Sequence, residues 1–219
     1  MKMTCVRRFP LVPAVLIFLL AAFAAVPASA AHLSFNWAFV KRAADGSPAA
    51  IDFRERVAIT PGDLFKIHVQ PIQNAYVYLV LQDAQGDIQL LFPSRFDVFS
   101  GPGYMGSRNF VPEGDEWFTP DATSGTERFH LLASTQRLGQ LETLLAAFSR
   151  ATGGARGPAG QAVLDEIARL RKEHSQLTMA AEKPVTIAGG TRGLQTSIQK
   201  IATRIDAEEF YYKLFRLEH

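Results

Sequence analysis

Histidine serves both as a metal ligand and as a general base near neutral pH, so the five histidines are where chemistry would first be sought. His32, His68, His130, His174 and His219 are scattered, with no pair at i, i+2 or i, i+4. His68 and His130 fall on the polar side of alternating stretches and read as solvent-facing, while His174 lies among Arg171, Lys172 and Glu173 on a charged helix surface. Asp83 and Asp87 supply two carboxylates, fewer oxygen ligands than a calcium loop needs, and a hairpin turn accounts for both. There is no Gly-x-Ser-x-Gly elbow, and Ser100 and Ser107 lie in glycine-rich loops with no histidine nearby. Ser197-Ile198-Gln199-Lys200 matches a Ser-x-x-Lys pattern but stands without its companion motifs. The glycine-rich stretch 152–160 precedes a helix without the Gly-Lys-Ser/Thr ending of a phosphate loop. It reads as a flexible linker open to proteolysis near Arg156. No catalytic residue, metal ligand or cofactor is expected.

The remaining cluster is a loop. Glu113, Asp115, Glu116 and Asp121 surround Trp117 and Phe118, combining carboxylates with aromatic area. That pairing suits a sugar or peptide groove, because aromatic rings supply contact area and polar neighbours supply orientation. Tyr104, flanked by Gly103 and by Met105-Gly106, adds a third aromatic. The expected recognition residues are therefore Tyr104, Glu116, Trp117 and Phe118, on a long loop spanning 94–120. The competing reading places Trp117 as a cap on the core.

The elements that must hold this loop are mostly strands. Leu33, Phe35, Trp37 and Phe39 alternate with Ser34, Asn36 and Ala38, the period of a strand with one buried face. Thr60-Pro61-Gly62-Asp63 is a turn, and Phe65, Ile67 and Val69 alternate after it. Residues 75–81 are apolar on both faces, as in a central strand. Asp83-Ala84-Gln85-Gly86 reverses the chain, with Gly86 suited to positive φ, and 87–92 returns until Pro93 stops it. A strand at 128–133 precedes an amphipathic helix at 138–148, through Leu141, Leu144, Leu145 and Phe148. A second helix is expected at 161–177, a short strand at 184–188, and a closing strand at 210–217. Ile198, Ile201 and Ile205 fit either a short helix or a strand.

The first 30 residues carry the signature of a secretory signal peptide. Lys2, Arg7 and Arg8 precede an apolar run ending at Val26, and Ala28-Ser29-Ala30 supplies a cleavage site. The expectation is cleavage near Ala30, export to the periplasm or the exterior, and membrane contact only through the leader before cleavage. The single cysteine, Cys5, lies in the leader, so the mature chain has no disulfide or thiolate site. Removing Lys2, Arg7 and Arg8 leaves 20 Lys and Arg against 21 Asp and Glu, a net of −1. A nucleic-acid-binding surface needs clustered positive charge, so that class is excluded.

From Thr60 to Ser134 the sequence resembles a bacterial family, domain of unknown function 4384. The matching residues are Pro61-Gly62-Asp63, Ala75-Tyr76-Val77-Tyr78-Leu79, Asp83 and Gly86, Leu91-Phe92-Pro93, and Gly125-Thr126-Glu127 ahead of Ala133-Ser134. None of these is catalytic. Members fused to caspase-like or kinase domains imply an accessory or recognition role. The expected architecture is a mainly β, antiparallel, immunoglobulin-like sandwich at 31–219, with one to three helices added in the C-terminal half over 138–177. The expected function is a non-catalytic exported module that binds a protein or glycan partner in the cell envelope. A hydrolase with a dispersed site and a structural subunit of a cell-surface assembly are the alternatives.

Overall fold

The computed structural model describes residues 31–42, 46, 48–54, 56–60, 62–120, 124–177, 180–185 and 202–219. Residues 1–30, over which a leader is expected, Asp121, the motif at 197–200, and Ile198 and Ile201 lie outside them. Among the described residues eleven strands run in chain order. They are β1 (His32–Arg42), β2 (Pro48–Ala50), β3 (Val57–Ala58), β4 (Phe65–Gln73), β5 (Tyr76–Gln82), β6 (Ile88–Phe92), β7 (Asn109–Val111), β8 (Thr126–Ser134), β9 (Ala181–Val185), β10 (Ala202–Glu208) and β11 (Phe210–Glu218). Helices α1 (Gly139–Arg150) and α2 (Arg156–Glu173) fall between β8 and β9.

One sheet has the order β7-β4-β1-β10-β9, with β2 beside β1, and the other has the order β3-β11-β8-β5-β6. Pairing is antiparallel throughout except where β3 runs parallel to β11. The inner faces meet through aromatic side chains at alternate positions, as the two-residue strand period demands. Phe39 lies 5.3 Å from Phe129 and 4.9 Å from Phe215, and Trp37 lies 4.5 Å from Phe215. Such edge-on and tilted aromatic pairs add to the area they bury.

The second sheet is covered on its other face as well. Leu141, Leu145 and Phe148 of α1 and Val163, Ile167 and Leu170 of α2 are buried in the same core as the strands. This is why β5 is apolar on both faces: Val77 and Leu79 point to the facing sheet, Tyr78 and Val80 to the helices. The mainly β class with two added helices is as expected.

The glycine-rich stretch is not a linker. Gly153–Ala155 form a 3-10 turn and Arg156 opens α2. Arg156 grips Asp87 through two hydrogen bonds of 2.8 and 2.6 Å, and its guanidinium sits 4.3 Å from the Phe148 ring centre. A Cβ on Gly160 would stand 3.3 Å from Phe148 and 3.5 Å from Ile88. Glycine here permits close packing of α2 on α1 and β6, and Arg156 is not a free cleavage site.

The residues that carry the family resemblance hold this frame. The Asp63 carboxylate accepts hydrogen bonds from the Thr60 N–H and hydroxyl, both at 2.9 Å, and pairs with Lys41. Asp83 accepts from the Gln85 and Asp87 N–H groups, so the turn reading stands, and Gly86 has φ +87°. Gly125 exchanges two backbone hydrogen bonds with His219, and a Cβ on it would lie 2.3 Å from the Ala84 Cβ. Gly125→Ala is therefore expected to cost about 1–3 kcal/mol by overpacking, read from chemical denaturation. A variant as stable as the parent would show that the turn yields at no cost.

Candidate functional site

The segment 93–108 joins β6 to β7, which are edge strands of opposite sheets. It is more ordered than the long irregular loop expected. Phe96–Ser100 form a 3-10 turn in which Phe96 and Phe99, three residues apart, stack at 6.4 Å, as that helix period brings i and i+3 together. Phe99 also packs on Tyr78 and Tyr104, at 5.2 and 5.1 Å. Tyr104 is buried, and its hydroxyl accepts the Val77 N–H at 3.0 Å. Burial holds its phenol pKa well above the ordinary value, so it stays protonated. The Gly106 N–H donates to the Pro71 carbonyl at 2.6 Å, Gln70 donates to the Gly106 carbonyl, and Asn109 donates to Val69.

These bonds fasten the segment to both sheets and leave a cleft of about 600 Å³ between them. Phe92, Tyr104 and Phe110 give its apolar walls, and Arg95, Asp97 and Glu113 its charged ones. Its size falls in the range of small-molecule and side-chain binding pockets. Nothing in Arg95 or Asp97 marked them beforehand. The readable signal was the Phe96–Phe99 spacing, which implies a turn that folds back on the sheet.

The second half of the loop lies across the outer face of the first sheet. The ring of Phe110 packs on His68 at 4.9 Å, and the ring of Trp117 sits 5.2 Å from the Lys66 ammonium and 5.9 Å from the Arg42 guanidinium. Lys66 is buried and donates to the Gly114 carbonyl. Burial lowers its pKa below the ordinary lysine value, opposed by the charges of Asp115 and Glu116. Cation–π contact with Trp117 suits an ammonium that has lost most of its water.

The four expected recognition residues are thus dispersed. Tyr104 lines the cleft, Trp117 is half-buried on Lys66 outside the core, and Glu116 is exposed beside it. Phe118 turns inward, its ring tilted against that of Phe65 at 5.2 Å, and shares two backbone hydrogen bonds with it. Trp117 is not the core cap; Phe118 is the residue that packs against the core.

His68 and His130 are not solvent-facing. His68 is fully buried, with Nδ1 3.2 Å from the Asn109 carbonyl, and His130 is buried with Nδ1 3.0 Å from the Tyr212 hydroxyl. Burial is the main cause that brings each down to a pKa of about 4. Both are neutral at pH 7. Among the described residues no group of three or more His, Cys, Asp and Glu is placed to hold a metal ion. No helix among them is long and apolar enough to cross a membrane.

Geometry defines a two-sheet β domain with a helical cover and a walled cleft at one side. Residues 58–137 match the family described as domain of unknown function (DUF4384). The matched segment runs through β4 to β8 and contains the whole cleft, while β1, β10, β11 and both helices lie outside it. Comparison with curated proteins and comparison with solved structures each give no match.

Proposed function

We propose that this chain is an exported, non-catalytic binding module whose recognition surface is the 94–120 loop. The observation that carries the reading is the cleft of about 600 Å³, whose walls are pinned to both sheets before any partner arrives. A pre-formed concavity avoids the entropy of ordering a loop on binding. Phe110 and Trp117, both resting on side chains of β4, extend it along the sheet as aromatic anchors. The partner is a protein or glycan of the cell envelope, reached after cleavage near Ala30.

Mild crosslinking in intact cells, with parent, Trp117→Ala and Glu113→Arg full chains, tests this. Glu113 is exposed, so its variant should unfold within about 0.5 kcal/mol of the parent, whereas Trp117→Ala should cost about 0.5–2 kcal/mol through the lost cation–π contact with Lys66 and still fold. Each should lose the crosslinked species, and the recovered chain should begin at Ala31 or His32. Recovery of the same species by both variants would remove the loop from the site. An intact Met1 on the recovered protein would sink the export reading.

A further inference from the structure

A second cavity lies at the other end of the interlayer space, apart from the cleft. It holds about 190 Å³. Its apolar walls are Phe65, Phe118, Phe129 and Leu217, and Glu127 and His219 supply its deep polar groups. Glu127 and His219 are diagonal neighbours, because His219 pairs with Gly125 and Leu217 with Glu127 across β8 and β11. His219 Nε2 lies 3.0 Å from Glu127 Oε1, and the His219 side chain is only 6 % exposed. The other atom of each group, Glu127 Oε2 and His219 Nδ1, is buried with no hydrogen-bond partner.

The chemistry of those two atoms narrows the ligand. In a neutral imidazole that donates Nε2–H to Glu127, Nδ1 is an acceptor, and a carboxylate oxygen only accepts. Two buried acceptors without donors carry a desolvation cost that a donor-bearing guest removes. Asp83 also lines it, and among the described residues neither Lys nor Arg does. Its field favours a cation. The volume is below that of a drug-sized pocket, so the guest is small.

We propose that this cavity binds a small primary amine with an apolar body. Its ammonium donates to Glu127 Oε2 and His219 Nδ1, and its body lies against Phe65, Phe118 and Phe129, whose rings favour a nearby cation. Phe118, Thr119 and Pro120 of the 94–120 loop line this cavity but no residue of the cleft does, and the amine titration is read without the envelope partner, so the two readings fail separately.

Titration of the full chain by NMR with benzylamine, benzyl alcohol and benzoate tests the proposal. Benzylamine should bind saturably, with intermolecular contacts to Phe118 and Phe129. Benzyl alcohol should bind about tenfold more weakly, and benzoate not at all, since a charge-assisted hydrogen bond is worth that factor or more. Glu127→Gln should weaken benzylamine at least about tenfold while leaving benzyl alcohol nearly unchanged. If that variant does not fold, the three-ligand comparison and the contacts on the parent decide alone. Absence of saturable benzylamine binding, equal binding of amine and alcohol, or contacts elsewhere would overturn the proposal.

Discussion

Lowering the pH from about 6.5 to about 4 is expected to remove about 3 kcal/mol of stability for each of His68 and His130. Both imidazoles have an ordinary pKa of 6.5 and a folded value of about 4, burial being the leading cause. In that window the unfolded chain takes up a proton at each site and the folded chain does not. Stability therefore rises with pH across it and is lost on acidification, with a slope of about 1.4 kcal/mol per pH unit per histidine. Positive neighbours act in the same direction: Arg108 near His68, and Arg171, Arg128 and Arg216 near His130. Urea unfolding at several pH values should show this slope in the parent and lose it in a His68→Phe, His130→Phe double variant, at some fixed cost in stability. Parallel curves for the two proteins would mean that neither imidazole is protected from protonation in the folded state.

That result would rest on residues whose position in the sequence suggested the opposite. Along β4, Lys66, His68 and Gln70 occupy the polar phase of a two-residue alternation, which ordinarily faces water. The inner phase, Phe65, Ile67 and Val69, was readable for that reason and is buried as expected. His68 is covered by Phe110, a residue 42 positions further on, and Lys66 is capped by Trp117. A loop that folds back over a sheet face leaves no periodicity in the strand that it covers.

Glycine misled in a related way. In the 152–160 stretch Gly160 permits close approach and Gly153 takes a positive φ of +54° at the turn into α2, as Gly86 does in its own turn. The candidate site was legible as a segment but not as a constellation. Aromatics alternating with glycines located the 94–120 loop, yet the sequence has no signal for which of Tyr104, Trp117 and Phe118 turns inward. Phe65 decides it for Phe118 through a two-bond backbone bridge between residues far apart in the chain.

Replacing Tyr78 by Phe is expected to cost about 2–3 kcal/mol, although only one oxygen is lost. Tyr78 is fully buried in the middle of β5, on the face covered by α1. Its hydroxyl donates to Glu142 Oε1 at 2.7 Å and accepts the Leu138 N–H at 3.0 Å. Leu138 caps α1 without any side-chain hydrogen bond of its own, so the phenol does the work of a missing cap residue. Glu142 lies in the first turn of α1, where a negative charge is favoured by the helix dipole, and Arg137 binds its carboxylate from the solvent side. Burial alone would raise the Glu142 pKa, but hydrogen bonds from Arg137 and Tyr78 outweigh it and hold the carboxyl below its ordinary 4.5. A depressed folded pKa means that this carboxylate stabilises the fold above about 4.5 and that its effect is lost as pH falls from there, starting within the acid end of the histidine window. Glu142→Leu should also cost about 2–3 kcal/mol, since it strands the Tyr78 donor. The two losses should not add: once either partner is gone, removing the other should cost only about 1 kcal/mol more, so the coupling should be about 1–2 kcal/mol. Denaturant unfolding of the parent, both single variants and the double variant at pH 7 measures it. Additive losses would show that Tyr78 and Glu142 stabilise the helix–sheet junction independently, through packing rather than through the bond between them.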